Sequence, residues 1–214
     1  MLELRQVETK FGSVWYGKHA CPDNPATFQF LLEVAKLDEG DPLARELGLH
    51  FFDAYPRDPE GRARAIHQWV KAHIWYVREP KETFQSPSYT VQSGAGDCDD
   101  HANLFNAIAR NAQLVTRIVP LLKPNGDVKH AVAQVRLGGA WTYAETTVDA
   151  IFGEAPLDAV RRLGVTRDDV AGVEIDGAEG PHAWARWIAG VAGLGLVAAL
   201  AYMSLRGQIF EVRA

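Results

Sequence analysis

The 214-residue sequence predicts an α+β fold in which helices come first and an antiparallel sheet follows. Two observations carry this prediction. Before residue 112, apolar residues recur three or four positions apart in several segments, which is helical spacing. Beyond residue 114, alternating segments are joined by the pair Gly138-Gly139, and a two-glycine loop between strands is typical of a hairpin.

Four helices are predicted ahead of the sheet. Helical spacing covers residues 24–39, 42–55, 59–76 and 97–111. The aspartate at position 97 is a good N-cap, so we expect the fourth helix to begin at the next residue. The stretch 77–96 is rich in Pro, Ser, Gly and Gln, which indicates a loop on the surface.

Strands are expected at residues 115–122, 130–137 and 141–147, followed by a short helix around 157–163. The predicted organisation of the chain is the following: a helical lead-in (1–57), a core (58–155), a short helix with a polar linker (156–183), an apolar helix (184–206) and a tail (207–214).

Composition excludes several classes of protein. The net charge of −5 and the absence of a basic cluster interleaved with aromatics argue against a nucleic-acid partner. Cys21 and Cys98 are the two cysteines, and their dissimilar surroundings favour free thiols in a reducing compartment. The first residues lack a basic segment followed by an apolar run, so no secretory signal is predicted.

An uncharged apolar stretch lies near the end of the chain. Residues 187–205 carry no charge and are bounded by Arg186 and Arg206. As a helix this stretch would be roughly 28 Å long, close to the hydrocarbon thickness of a bilayer. We expect a transmembrane helix that makes a single C-terminal membrane pass, with the lipid bilayer as partner and the N-terminal domain in the cytoplasm. A virion membrane is the alternative location, and a buried core helix is the alternative structure.

The chemistry is concentrated in GAGDCDDHANLF, residues 94–105. Cys98 falls in the first turn of a predicted helix, where the partial positive charge of the amide end favours a thiolate nucleophile. Asp97, Asp99 and Asp100 oppose that charge, so a cationic partner such as histidine is needed. No C-x-x-C or H-x-x-x-H spacing and no calcium-loop pattern accompany the cluster, so no metal or cofactor is predicted.

The predicted hairpin singles out His130 among the seven histidines. If Gly138 and Gly139 form the two-residue loop, His130 faces Thr147 across the sheet. Glu145 is then a diagonal neighbour of His130 on the same face, where a carboxylate orients an imidazole.

Two alternatives to this pairing stay open. Asp149 shares the same face and is the second candidate for the orienting carboxylate. His101 lies one helical turn from Cys98 and is the competing base. An ordinary helix start in water, with no chemistry, is the simplest explanation of the cysteine.

Three motifs resemble the transglutaminase-like superfamily. GAGDCDDHANLFNAIARNAQLVTRIVP resembles its nucleophile motif, KHAVAQV its histidine strand, and WTYAETT its W-x-x-x-D-x-T segment. IHQWVKAHIWYVREPKETFQSPSYTVQSG is similar to the segment that precedes the family's cysteine. The resemblance covers about residues 62–150, and the wording GDCDDHA is similar to short phage and prophage members.

The resemblance implies a papain-like core, with helices packed on an antiparallel sheet, and a cysteine site. Cys98 would be the nucleophile, His130 the general base and acid, and Glu145 the residue that holds the imidazole, where the family usually has Asp. The backbone N–H of Cys98 would be the first oxyanion donor, with the side chain of Gln92 as the second.

Two functions are compatible with this resemblance. The first is a membrane-anchored cysteine hydrolase or acyltransferase that acts on a peptide or carboxamide bond of a protein substrate through a thioester, with hydrolysis expected over crosslinking. The second is a catalytically weak or inactive structural membrane protein, such as a phage virion component, whose partners are other virion or membrane proteins.

Overall fold

The computed structural model of the protein describes residues 3–10, 12–18, 25–77, 83–122 and 128–164. Over these residues the predicted α+β class is confirmed. The helices are α1 (Pro25–Asp38), α2 (Pro42–Ala54), α3 (Pro59–His73), α4 (Pro87–Ser93), α5 (Cys98–Asn111) and α6 (Pro156–Leu163). The strands are β1 (Glu3–Thr9), β2 (Gly12–Lys18), β3 (Trp75–Tyr76), β4 (Thr83–Gln85), β5 (Ala95–Gly96), β6 (Thr116–Leu122), β7 (Val128–Leu137) and β8 (Ala140–Ala144).

Helix α5 is the central element of the fold. Every residue from Asp99 to Ala109 is buried, including the polar ones. The helix contacts α1, α2, α3 and α4, and also strands β6 and β7. A helix that is buried all round belongs to the core of its domain, so the position of its first residue, Cys98, is fixed by packing along the whole helix.

Strands β6, β7 and β8 form an antiparallel sheet in that order. The pairs Leu137–Ala140 and Ala133–Ala144 have the predicted hairpin register. Strand β8 ends at Ala144, three residues earlier than predicted. The physical reason is local, because the N–H of Thr147 donates to the side chain of Glu145 at 2.7 Å. Glu145 therefore begins a loop at the end of β8.

The prediction of a purely helical lead-in is wrong at its N-terminal end. β1 and β2 form an antiparallel hairpin that pairs Val7 with Val14 and Thr9 with Gly12. The outer edge of β2 then pairs with β4, which lies about 70 residues onward. The turn lacks the Asn-Gly or Gly-Gly signature that marks a hairpin in a sequence. The sheet partner is also remote along the chain, so local patterning gives no indication of it.

The prediction of a surface loop over residues 77–96 is also wrong. Where this stretch is described it contains β4, α4 and β5, and Phe84, Gln85 and Ser86 are buried. Ser86 Oγ accepts a hydrogen bond from the N–H of Tyr89 at 3.3 Å, which caps α4. The same oxygen accepts one from the N–H of Ser13 at 3.1 Å. A composition that is typical of loops therefore reflects caps and turns inside a packed segment.

Helix α3 ends at His73, three residues before its predicted end. Trp75 and Tyr76 instead pair in parallel with Ala95 and Gly96. The N–H of Trp75 donates to the carbonyl of Gly94 at 2.8 Å. This contact places the residues just before Cys98 beside the end of α3.

The apolar C-terminal segment lies outside the described residues, as do the linker that precedes it, the tail and Cys21. Within the part of the chain that the structure describes, no helix combines the length and the apolar character needed to cross a membrane.

The contact between α2 and α5 is close enough to test. A Cβ atom on Gly48 would lie 2.4 Å from the Cβ of Asn111 and 2.7 Å from the carbonyl oxygen of Ile108. We expect Gly48→Ala to lower the free energy of unfolding by about 1–3 kcal/mol, because the helices must separate to admit the methyl group. Urea denaturation followed by circular dichroism measures the change.

Gly40→Ala is the matched control, since the nearest atom to its added Cβ is the Leu37 carbonyl oxygen at 3.5 Å. That variant is expected to change the free energy of unfolding by less than about 1 kcal/mol. Equal losses in the two variants would contradict the close approach of α2 to α5.

Candidate active site

Cys98 is the first residue of α5, as predicted. Asp97 is the N-cap, and its carboxylate accepts the N–H of Asp99 at 3.1 Å. In return, Oδ2 of Asp100 accepts the N–H of Asp97 at 3.2 Å, which completes a capping box. The thiol of Cys98 is partly exposed. It therefore lies at the positive end of a well-capped helix, where a thiolate is favoured.

Asp100 anchors this helix end to the rest of the fold. Its Oδ1 accepts the backbone N–H of Gln85 at 2.7 Å, and the residue is buried. A Cβ atom on Gly96 would lie 2.6 Å from the Cβ of Asp100, so the close packing requires glycine there. The second aspartate after the cysteine thus has a structural role, because it joins the first turn of α5 to β4.

His130 on β7 and Glu145 just beyond β8 form a buried pair. His130 Nε2 lies 2.6 Å from Glu145 Oε2, and both residues are about 1% exposed. The other carboxylate oxygen, Oε1, accepts the N–H and the Oγ1–H of Thr147, each at 2.7 Å. The two oxygens of Glu145 are therefore both engaged, one by the imidazole and one by the loop.

The charge of Glu145 determines which nitrogen of His130 carries the proton. Burial raises the pKa of Glu145, but the charge and hydrogen bond of His130 and the two bonds from Thr147 outweigh it and lower the pKa to about 2. An ionised carboxylate only accepts hydrogen bonds, so Nε2 of His130 is protonated and donates. Whenever the ring is neutral, its lone pair is therefore on Nδ1. Nδ1 is buried and makes no hydrogen bond to a described residue.

Cys98 and His130 line the same small cavity, of about 50 Å³. Its walls come from the start of α1, from β4, from the start of α5 and from the first residues of β7: Thr27, Phe28, Leu31, Phe84, Asp97, Cys98, Asp99, Val128, Lys129, His130 and Ala131. The arrangement brings a thiol at a helix N-terminus to the same space as an imidazole that is oriented by a carboxylate. These are the parts of a nucleophilic site.

The structure does not place His101 as a competing base. His101 is 1% exposed, is not among the residues that line the cavity, and its Nδ1 lies 3.2 Å from Thr146 Oγ1. Burial lowers its pKa to about 4, against the attraction of Glu145. A neutral, buried imidazole behind the site supports the loop that carries Glu145.

Two other sequence candidates lie away from the cavity. Asp149 is exposed and pairs with Lys71 at 2.7 Å, so it does not contact His130. The loop begins at Glu145, and the alternation that would have kept Asp149 on the same face ends there. Gln92 lies exposed on α4 and is not among the residues that line the cavity. Both expectations, of an alternative carboxylate and of a second oxyanion donor, are corrected.

His67 is a supporting residue that sequence reasoning missed. Its Nε2–H donates to the backbone carbonyl of Glu145 at 2.6 Å. Burial lowers the pKa of His67, so the neutral ring is the form that makes this bond. The residue directly follows Ile66, on the buried face of α3. That position in the apolar stripe is the signal that points it inward.

The side chains around the thiol include two carboxylates. Ligand atoms of Asp97, Cys98 and Asp99 all lie within 4.8 Å of one another. The Asp97 carboxylate already accepts the N–H of Asp99 as part of the helix cap. The cluster is therefore in part a product of the capping box.

Comparison with known proteins supports this view of the core. The core model of the transglutaminase-like superfamily matches residues 51–146. No curated protein sequence is significantly similar to the chain. The similarity to short phage and prophage proteins stays a prediction.

Two solved structures are similar in part. A proposed protease from Parabacteroides distasonis aligns with a TM-score of 0.45 and 9% identity, over 67% of this chain and 36% of that protein. A proposed cysteine protease from Cytophaga hutchinsonii aligns with a TM-score of 0.38 and 14% identity, over 69% of this chain and 62% of that protein. The chain thus spans less than two thirds of either protein, and neither alignment bears on the chemistry of the site.

The family match covers the helix that begins at Cys98, the strand that carries His130 and the loop that begins at Glu145. The predicted resemblance to the transglutaminase-like superfamily is therefore confirmed, over residues 51–146 of the chain.

Proposed function

We propose that the protein is a cysteine hydrolase that cleaves a peptide or carboxamide bond through a thioester on Cys98. One observation carries the proposal. The imidazole of His130 is held by an ionised carboxylate through Nε2, while its Nδ1 has no hydrogen-bond partner among the described residues and the ring lines the same cavity as the thiol. An oriented base with a free lone pair beside a thiol is the arrangement that nucleophilic catalysis requires.

In the acylation step, Nδ1 of His130 takes the proton of the Cys98 thiol, and the sulfur attacks the carbonyl carbon of the substrate. Glu145 stabilises the imidazolium that forms. The tetrahedral intermediate then collapses as the imidazolium gives its proton to the leaving nitrogen. The C–N bond breaks, an amine departs, and an acyl group remains on the sulfur.

In the second step, water attacks the thioester while His130 again takes a proton, and the carboxylic acid leaves as the thiol is restored. Attack by an amine would instead form a new amide bond. We favour water because Cys98 is partly exposed, so solvent can reach the thioester.

The oxyanion that develops on the substrate carbonyl requires hydrogen-bond donors beside the Cys98 sulfur. The backbone N–H of Cys98 is the proposed donor, since it belongs to the first turn of α5 and points along the helix axis toward the cavity end. Stabilisation of the negative charge by such a donor is worth a factor of about 100 or more in rate at comparable sites.

The Glu at position 145 is the main departure from the family pattern. An extra methylene would displace the carboxylate if the strand ran on through this residue. Because β8 ends at Ala144, the longer side chain has a loop from which to reach His130, and it does so at 2.6 Å. This geometry favours the enzyme over the inactive structural protein as the proposed function.

We further propose that residues 187–205 anchor this domain to a membrane. The proposal is supported by the uncharged length of the segment and by the aromatic residues near its ends.

The reactivity of Cys98 tests the proposed nucleophile. We expect iodoacetamide at pH 6–7 to alkylate Cys98 at least about tenfold faster than Cys21, because the helix end and His130 stabilise its thiolate. Peptide mass spectrometry of the time course measures both rates. His130→Ala is the matched control and should bring the rate at Cys98 down toward that at Cys21. Equal rates in the unmodified protein would exclude an activated thiol.

Substitution of Glu145 tests the orienting carboxylate. In Glu145→Gln the amide N–H can donate to Nε2 of His130, which moves the ring proton to Nδ1 and removes the base. We expect the alkylation rate of Cys98 to fall by about tenfold, toward the rate in His130→Ala. Glu145→Asp keeps the charge, so its alkylation rate at Cys98 should lie between that of the unmodified protein and that of Glu145→Gln. A rate in Glu145→Gln equal to that of the unmodified protein would show that this carboxylate does not orient the base.

The same variant tests the charge of Glu145 through its effect on stability. Its pKa in the folded protein, about 2, is below the ordinary value of 4.5, so its contribution is present above pH 4.5 and is lost as the pH falls toward 2. The free energy of unfolding should decrease over this range by about 3 kcal/mol more in the unmodified protein than in Glu145→Gln. Identical pH dependence in urea titrations would contradict an ionised Glu145.

Truncation tests the membrane proposal. We expect the full-length chain to require detergent to remain monodisperse, and a chain that ends near Gly180 not to require it. Size-exclusion chromatography with and without detergent distinguishes them. A full-length chain that is monodisperse without detergent would exclude the anchor.

A further inference from the structure

Asp99 is a buried carboxylate that has no hydrogen-bond partner among the described residues. It is 4% exposed, and neither of its oxygens accepts a hydrogen bond from any residue that the structure describes. The neighbouring aspartates differ in this respect, because Asp97 and Asp100 accept backbone N–H groups within the capping box. Asp99 therefore has no part in the helix cap through its side chain.

The position of Asp99 links it to the reaction. It lines the cavity that also contains Cys98 and His130. Its carboxylate lies within 4.8 Å of the Cys98 sulfur. Any group that binds this carboxylate from the cavity will therefore lie next to the carbonyl that the sulfur attacks.

The described residues that line the cavity carry an unbalanced charge. Asp97 and Asp99 contribute two carboxylates, while Lys129 contributes one ammonium group. Lys129 makes no hydrogen bond to Asp99, since both oxygens of that carboxylate lack one. A buried carboxylate without a donor is unfavourable, and a cation that arrives with a ligand is the most direct way to satisfy it.

The shape of the cavity restricts the size of this cation. Phe28, Leu31, Phe84 and Val128 give it apolar walls, and its volume is about 50 Å³. Apolar walls suit a short aliphatic stem, and the small volume suits a compact ammonium better than the wider, planar guanidinium.

We propose that Asp99 is the specificity residue of this site and binds a protonated primary amine, on a short aliphatic stem, that the substrate carries beside the scissile bond. The inference rests on the proposed function, because it assigns the substrate of the same thiol. It also has a consequence for the chemistry. A bound ammonium offsets the two carboxylates that oppose ionisation of Cys98, so a cationic substrate promotes formation of the nucleophile that attacks it.

The test uses three methanethiosulfonate reagents that differ in charge: aminoethyl (cationic), hydroxyethyl (neutral) and sulfonatoethyl (anionic). For each reagent, the rate of disulfide formation at Cys98 is divided by the rate at which the same reagent reacts with free glutathione. In the ratio of two reagents, the thiolate fraction of Cys98 in the unliganded protein cancels, because it is common to all three. We expect the cationic reagent to be favoured over the neutral one by about tenfold.

Asp99→Asn is the isosteric variant and should remove most of this preference, and thermal melting followed by circular dichroism verifies that it folds. Lys129→Met is the opposite control: it removes a positive charge from the cavity wall and should increase the preference for the cationic reagent. A second measurement needs no variant. Methylammonium should remove the preference of Cys98 in the unmodified protein for the cationic over the neutral reagent in a saturable manner, because it occupies Asp99, whereas methanol at equal concentration should not.

Retention of the cationic preference in Asp99→Asn, or in the unmodified protein at high methylammonium concentration, would overturn the inference. Loss of the preference with calcium or magnesium alone, at concentrations where methylammonium has no effect, would also overturn it, because Asp97 and Asp99 would then hold a metal. Failure of Cys98 to react faster than Cys21 with any of the three reagents would instead remove the proposed function, so the two failures are distinguishable.

Discussion

The hydrogen bond between His130 and Glu145 is the interaction on which the site depends. It joins two fully buried polar side chains at 2.6 Å, and neither is satisfied without the other. The bond fixes the orientation of the imidazole and the position of its proton. The surrounding contacts hold the carboxylate in place, since Thr147 engages the other oxygen and His67 engages the backbone carbonyl of Glu145. A chemically useful lone pair on Nδ1 is the result.

Cys98, the other part of the site, is positioned by the packing and capping of α5. Helix α5 is buried along most of its length, and its capping box and the bond from Asp100 to β4 fix its first turn. The thiol is therefore positioned by a helix end, while the imidazole is positioned by a sheet. Contacts of α5 with β6 and β7 bring the two elements together. This division explains how residues 32 and 47 positions apart from Cys98 meet at one cavity.

Local sequence patterns predicted the parts of the fold that depend on interactions between neighbouring residues. The two-glycine loop gave the hairpin register, and the N-cap aspartate gave the start of α5. The β1–β2 hairpin was missed because its turn lacks a hairpin signature, and β4 and the β3–β5 pair were missed because pairing between remote residues is not visible in local patterns. Burial was not visible either. The three aspartates around Cys98 are alike in the sequence, yet two of them cap a helix and Asp99 faces the cavity without a partner.

We propose that Cys98, His130 and Glu145 act as one unit through the two nitrogens of a single imidazole. Nitrogen-15 NMR of the histidine side chains measures this most directly. We expect a protonated Nε2 for neutral His130, and a change at Nδ1, without loss of the Nε2 proton, when Cys98 is replaced by alanine. A proton on Nδ1, or an Nδ1 signal that is insensitive to Cys98→Ala, would contradict it.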